Sequence, residues 1–282
     1  MTTIKAFTLL LGTILAFSSP FSYAQQRIIS AGGSVTELIY ALDAQKSLVA
    51  VDVTSHLPEG QALPKVGYHR QLSAEGLISL KPTRLIGSDE MGPESTLRLL
   101  KQSGISVDII NTEATVAGLL KRVDQLAQIT SSEDRSTQLK EEINQTVASL
   151  QANQPQEQDK KKVLFLLIHE GRPANVAGSE TTPDEIIALA GAINPASEQL
   201  NAYKPLAMES LVKMQPDAVI VSQRSAEQIG DIDAIIAAVP MLAATPAGKN
   251  RAVMTINGSA LIGGLGLLSL DEAKRLNAFL YP

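Results

Sequence analysis

Cysteine and tryptophan are absent from the 282-residue chain, and aromatic residues make up only 4% of it. Without cysteine the fold has no disulfide framework and offers no cysteine to carry a lipid, so its stability must come from the hydrophobic core. With so few rings, the chain lacks a wide stacking platform for sugars or nucleobases. Its formal charge is −5 and its lysines and arginines form no stripe, which argues against nucleic acid as a partner.

Common catalytic motifs are also missing. The GGS at 32–34 lacks the G-x-G-x-x-G spacing of dinucleotide sites, AGKN at 247–250 is not a phosphate-binding loop, and neither G-x-S-x-G nor H-E-x-x-H occurs. Only three histidines are present, His56, His69 and His169, which is few for a dedicated zinc or manganese site. We therefore predict a protein that is not an enzyme and carries no metal of its own.

The first 24 residues have the pattern of a secretory signal peptide. Lys5 precedes an apolar run from Ala6 to Phe17, and a small-residue site ends at Ala24. We predict cleavage near Ala24 and release into the periplasm. The alternative is a membrane anchor, but the apolar run is shorter than the roughly 20 residues that a membrane span requires.

Beyond this segment, short β-rich runs alternate with helical ones, which predicts α/β lobes with parallel sheets. The predicted strands of the first lobe are 27–30, 47–52, 84–88 and 107–111, and its predicted helices are 35–44, 72–82 and 94–104. Only helical periodicity follows, from Thr115 to about Asn153, and the strand–helix alternation resumes at 163–168. We predict two Rossmann-like lobes, 25–130 and 161–282, joined by a long backbone helix and linker at 131–160, with a ligand cleft between them.

An internal match supports two similar lobes. LSAEGLISLKPTRLIGS (72–88) aligns without a gap onto LAMESLVKMQPDAVIVS (206–222), which pairs Glu75 with Glu209. Ligands of α/β folds lie beyond the carboxyl ends of strands. Four segments that combine polar and charged residues occupy such positions: Tyr68-His69-Arg70, Asp89-Glu90, the loop from His169 to Arg172, and Gln223-Arg224.

The chain resembles the periplasmic haem-binding proteins of haem ABC importers, which are class III solute-binding proteins with a helical backbone. The resemblance rests on RIISAGGSVTELIYAL, on VGYHRQLSAEGLISLKP, on the interlobe helix and on VLFLL. It implies that haem is the transported ligand and is delivered to an inner-membrane ABC permease with its ATPase. It also implies an outer-membrane haem receptor system upstream and a monomeric protein.

The resemblance assigns roles to individual side chains. Tyr68 is expected to ligate the haem iron, because ferric iron accepts a phenolate and tyrosine is an attested axial ligand. A free phenol has a pKa of about 10, so Arg70 would help by standing near the developing negative charge or by pairing with a propionate. Arg224 and Arg172 are candidates for the same support. His169 is a candidate second ligand, on the same haem or on a stacked second one, although it could equally cap a strand end.

Two glutamates would dock the protein on its permease. The family pattern points to Glu94 on the first lobe and Glu209 on the second. The internal match instead pairs Glu209 with Glu75, which remains the rival for Glu94. Acidic residues are also favoured in the first turn of any helix.

Three other interpretations stay open. A receptor for a ferric siderophore or for cobalamin would keep the fold and the docking surface. A metal-ion receptor would be built on His69, His169 and carboxylates. An enzyme that degrades haem in the same cleft would need a general acid–base pair, which the sequence does not show. The remaining histidine, His56, is expected to be a loop residue beside Pro58.

Overall fold

The computed structural model describes residues 26–169 and 171–282. The predicted signal peptide lies outside these residues. None of the helices in the described ranges is long and apolar enough to cross a bilayer.

The first lobe is built on a four-stranded parallel sheet of order β2-β1-β3-β4. Its strands are β1 (Ile28–Ala31), β2 (Leu48–Val51), β3 (Arg84–Ser88) and β4 (Ser106–Ile110), and its helices are α1 (Gly33–Ala41), α2 (Ala74–Ser79) and α3 (Glu94–Gln102). All four strands confirm the sequence prediction to within one residue at each end. The helices end earlier than predicted, and left-handed residues follow two of them, Asp43 at φ 58° and Lys81 at φ 49°.

Two consecutive helices, α4 (Val116–Thr130) and α5 (Glu133–Ala152), connect the lobes and confirm the predicted backbone helix. A left-handed residue, Ser131 at φ 55°, separates them. The apolar positions of α5 are buried as their spacing predicts: Leu139, Ile143, Val147 and Leu150.

The second lobe contains a five-stranded sheet of order β7-β6-β5-β8-β9. Its strands are β5 (Val163–Leu167), β6 (Asn175–Ala177), β7 (Tyr203–Pro205), β8 (Ala218–Ser222) and β9 (Val253–Ile256). Its helices are α6 (Thr182–Leu189), α7 (Met208–Met214), α8 (Gln223–Ile229), α9 (Ile232–Ala238), α10 (Pro246–Lys249) and α11 (Leu267–Leu280). The predicted parallel pairing holds for β5, β8 and β9, and β6 adds an edge by pairing antiparallel with both β5 and β7. β6 and β7 have only three residues each, too few to show a period in the sequence.

The internal match corresponds to equivalent structure in the two lobes. α2 followed by β3 in the first lobe matches α7 followed by β8 in the second. The strand orders β1-β3-β4 and β5-β8-β9 are the same, and all of these pairings are parallel. The aligned residues Lys81 and Gln215, each before a proline, both have positive φ, 49° and 44°.

The two lobes share one hydrophobic cluster. It contains Ile28 and Ile86 of the first sheet, Phe165 and Ile220 of the second, and Leu276 of α11. α11 packs against α1 as well as against α6. The last helix of the second lobe is therefore also part of the packing of the first lobe.

A buried polar clamp reinforces this contact. Glu37 of α1 accepts hydrogen bonds from the backbone N–H groups of Leu267 (2.7 Å) and Leu268 (3.2 Å) at the start of α11. The fully buried Arg122 of α4 donates to the carbonyl oxygens of Leu265 and Asn111. Burial raises the pKa of Glu37 to about 7 and lowers the pKa of Arg122 to about 10.

Glycines allow the loop before α11 to approach the clamp closely. A Cβ on Gly266 would lie 2.0 Å from Glu37 Oε1, and one on Gly264, whose φ is +85°, would lie 2.3 Å from Arg122 Nη2. Any larger residue would therefore push the loop away from the first lobe.

Candidate functional site

Tyr68 lies on a tight turn between β2 and α2 that is fixed by its backbone. Gly67 has a φ of +89°, which favours glycine, and its carbonyl accepts from Val53 N at 2.9 Å. The His69 carbonyl accepts from Gly92 N at 3.0 Å, and Leu72 N donates to the Gly92 carbonyl at 2.7 Å. The loop before α3 thus holds this turn, and the Tyr68 side chain remains 39% exposed.

His69 points away from the cleft into the first lobe. It is buried, and its Nδ1 lies 3.1 Å from Oδ2 of the fully buried Asp52. Burial alone would raise the pKa of Asp52, but hydrogen bonds from His69, Ser55 and Thr54 lower it. The His69 ring lies 4.4 Å from the Tyr68 ring, centroid to centroid. The buried His69 ring therefore packs against the Tyr68 ring from within the first lobe.

Arg70 is paired with Glu90, the residue two positions beyond β3. The pair is half-exposed, at 52% for Arg70 and 40% for Glu90. The hydrogen bond to Glu90 is the main cause that raises the pKa of Arg70, and the charges of Tyr68 and Asp89 also contribute. The Arg70 guanidinium therefore shares the cavity wall with Tyr68 while the carboxylate of Glu90 holds it.

A cavity of about 840 Å³ lies between the lobes, a volume typical of small-molecule sites. Both lobes contribute polar residues to its wall: Tyr68, Arg70, Asp89 and Glu90 from the first, and Glu180, Tyr203, Gln223, Arg224 and Glu227 from the second. The loop that follows β9 closes one side through Asn257, Ser259 and Gly263. The cavity confirms the predicted interlobe cleft.

The predicted site residues divide into two groups. Tyr68, Arg70 and Arg224 line the cavity together, although they lie far apart in the sequence. In the part of the chain that the structure describes, His169 and Arg172 do not line it; both are exposed. They share a turn just beyond β5, in which Arg172 N donates to the His169 carbonyl at 3.2 Å.

Sequence reasoning missed Tyr203, which faces the cavity from β7. Its ring lies 6.2 Å from that of Phe165 in an edge-on arrangement. Burial, together with the negative charge of Glu90 across the cleft, raises the pKa of Tyr203 to about 12, so it stays a neutral phenol that can donate a hydrogen bond. Extending the internal match upstream aligns Tyr203 and Lys204 with His69 and Arg70, a signal that could have identified it.

His56 also lines the cavity, although the sequence suggested an ordinary loop residue. Its Nδ1 lies 2.9 Å from Ser259 Oγ on the other lobe, so it takes part in the contact that closes one side of the cleft. Within the described ranges, no group of three or more His, Cys, Asp or Glu residues is placed to hold a metal ion.

Residues 28–260 match the family model described as "Periplasmic binding protein". The fold is similar to the crystal structure of the periplasmic heme binding protein HutB of Vibrio cholerae, with a TM-score of 0.88, 59% identity, and coverage of 92% of this chain and 100% of that one. It is also similar to the periplasmic heme-binding protein BhuT in complex with two hemes, with a TM-score of 0.81, 32% identity, and coverage of 90% and 99%. A vitamin B12-binding protein of Vibrio campbellii is 25% identical over 206 residues, covering 73% of this chain and 74% of that protein.

Proposed function

The chain belongs to the family of periplasmic binding proteins, and we propose that it captures haem in its interlobe cleft and delivers it to an inner-membrane ABC permease. The family and the structurally similar proteins bind ligands for transport, which confirms the prediction of a binding protein rather than an enzyme. The observation that carries the proposal is the half-exposed phenol of Tyr68 in the wall of the cleft, next to the guanidinium of Arg70.

In the proposal, the phenolate of Tyr68 ligates the ferric iron from the first lobe. Arg70 lines the same cavity two residues further on and supplies a positive charge that favours a phenolate or pairs with a haem carboxylate. Arg224 faces the same cavity from the first turn of α8 and can pair with a haem carboxylate. Tyr203 adds a neutral hydroxyl to the opposite wall.

His169 remains the proposed second iron ligand and Arg172 a weaker propionate partner. Both are exposed on the turn after β5, outside the cavity wall in the described structure. This position suits a haem that projects beyond the cavity, such as a second haem stacked on the first. The complex of the similar protein BhuT with two hemes supports keeping this possibility.

For delivery, we propose that one glutamate on each lobe meets the permease, Glu94 on α3 and Glu209 on α7. Both are exposed and lie in the first turn of their helices. The proposal includes export by the signal peptide, cleavage near Ala24, an outer-membrane haem receptor system upstream and a monomeric receptor.

Hemin titration of the mature protein tests the proposal. The mature protein, which is expected to start at Gln25, should develop a Soret band and ferric charge-transfer bands as hemin is added. These bands should saturate at one or two equivalents of hemin. A spectrum identical to that of free hemin at every ratio would refute it. The same preparation should be titrated with cobalamin, because a curated relative is a vitamin B12-binding protein. Tight cobalamin binding without a hemin response would establish that second candidate.

A further inference from the structure

We propose that Glu90 makes the cleft selective for ligands that carry a free carboxylate, by occupying Arg70 until such a ligand displaces it. The inference rests on the proposed function and adds a specificity residue to it. The sequence places Glu90 at a strand end where ligands bind but assigns it no role.

Glu90 lies at the centre of the cleft's polar contacts. One carboxylate oxygen accepts from Arg70 Nη2, and the other lies 3.6 Å from His69 Nε2. Tyr203 of the opposite lobe lines the same cavity. The carboxylate thus forms part of the cavity wall beside the Tyr68 turn, where a ligand of Tyr68 would meet it.

The charges that line the cavity are unbalanced. Four carboxylates contribute to its wall, Asp89, Glu90, Glu180 and Glu227. Two guanidinium groups face them, and only Arg70 is paired, since Arg224 forms no ion pair with any described residue. An anionic ligand can therefore pair with Arg224 directly, whereas it must displace Glu90 to pair with Arg70.

Exchange at Arg70 favours a ligand with its own carboxylate. Such a ligand replaces one carboxylate by another, so Arg70 keeps a charge-assisted hydrogen bond throughout. The released Glu90 is 40% exposed already and can turn into water with little loss of solvation. A ligand without an anionic group cannot replace Glu90 as the partner of Arg70, so Glu90 keeps its place in the cavity and obstructs the ligand.

The test compares two isosteric variants in hemin titrations. Glu90→Gln weakens the competitor, so hemin affinity should rise about twofold to fivefold, the range expected for a half-exposed ion pair. Glu227→Gln is the matched control: it lines the same cavity and loses the same charge, but its carboxylate bonds to Gln223 Nε2 at 2.9 Å rather than to an arginine. Its effect should be smaller.

Hemin dimethyl ester, which has no free carboxylate, separates displacement from general repulsion. The gain from Glu90→Gln should be larger with the ester than with hemin, because the ester cannot displace Glu90 in the unaltered protein, and the gain with hemin should be lost in an Arg70→Ala background. An unchanged or lower hemin affinity in Glu90→Gln would overturn the inference, as would an equal gain from Glu227→Gln or a gain with the ester that is no larger than the gain with hemin. Each of those results is compatible with a Soret response in the unaltered protein. A protein that lacks the Soret response contradicts the proposed function, and this inference with it.

Discussion

At the scale of single residues, the side chains around Tyr68 have separate tasks because they point in different directions. His69 is buried against Asp52 and packs on the Tyr68 ring, whereas Arg70 reaches into the cleft and pairs with Glu90. Three consecutive residues thus provide the proposed iron ligand, a ring packed beside it and a cation. The arrangement allows the role of Tyr68 to be tested without disturbing the other two.

Tyr68→Phe keeps the ring that packs on His69 and removes the oxygen. Hemin affinity should therefore fall, by about tenfold or more if the phenolate is the ligand, and the ferric charge-transfer bands should change. Absorption titration of the variant beside the unaltered protein measures both effects. The same bands and affinity in the two proteins would refute Tyr68 as the iron ligand.

His169→Ala tests the exposed histidine beyond β5. If His169 ligates iron, its loss should change the hemin spectrum or lower the number of haems bound, although Tyr68 is intact. Stoichiometry by titration and the position of the Soret band are the measurements. Arg172→Ala, a change in the same turn, separates iron ligation from propionate pairing, because it removes no iron ligand and should leave the position of the Soret band unchanged. An unaltered spectrum and an unaltered number of bound haems would show that His169 does not ligate iron.

At the scale of elements, the carboxylate of Glu37 binds the first N–H groups of α11. Ionisation of this buried carboxylate opposes folding. Burial raises the pKa of Glu37 to about 7, above its ordinary value of about 4.3. Between these values the unfolded chain loses the proton and the folded chain keeps it, so the free energy of unfolding falls as the pH rises. The contribution is fully retained below pH about 4.3 and lost above pH about 7, a change of up to about 4 kcal/mol.

Glu37→Gln should remove this pH dependence, because the amide is neutral at every pH and its oxygen can still accept from α11. Denaturant unfolding at pH 5 and pH 8 should show a smaller loss of stability in the variant than in the unaltered protein. Glu75→Gln, at an exposed position, controls for the charge change. If the unaltered protein and Glu37→Gln lose the same stability between the two pH values, Glu37 does not titrate in this interval.

The helices that carry the candidate docking residues do not decide between Glu75 and Glu94. Glu75 and Glu209 both occupy the second position of their helices, α2 and α7, whereas Glu94 is the first residue of α3. The structure thus makes Glu75 the counterpart of Glu209, and the preference for Glu94 stays a prediction from the family pattern.

Haem transfer into vesicles that contain the permease should decide between them. At equal haem loading, Glu94→Ala and Glu209→Ala should slow transfer and leave hemin affinity unchanged, since charges at the rim of an interface act mainly on encounter and register. Glu75→Ala is the control. Slow transfer by Glu75→Ala together with normal transfer by Glu94→Ala would reverse the assignment.

The elements also show which parts of the structure the sequence could predict. The strands of the first lobe were predictable because each is a short apolar run bounded by turn residues. The cleft followed from the lobes, and Tyr68 followed from the family motif. The pairing of Arg70 with Glu90 and the position of Tyr203 in the cavity wall were not predictable, because they depend on contacts between distant segments and, for Tyr203, on the short strand β7.

At the scale of the whole molecule, the cleft is bounded by lobes that are joined in more than one place. α4 and α5 connect them through the chain, and the loop after β9 contacts the first lobe directly. In that loop, Ser259 Oγ donates to the Thr54 carbonyl at 3.2 Å, and Gly263 O accepts from Ser34 Oγ at 2.8 Å. These contacts join the lobes on this side of the cleft, so we expect only small closure motions.

The clamp of Glu37 and Arg122 on the start of α11 has a consequence for how the protein comes apart. The lobes share a hydrophobic cluster, and the first lobe supplies the partners of the N–H groups at the start of α11. Losing α11 would uncover apolar surface of both lobes and leave buried charges without partners, which is costly in each. The two lobes should therefore melt in a single cooperative transition, and neither would persist as an independent fragment.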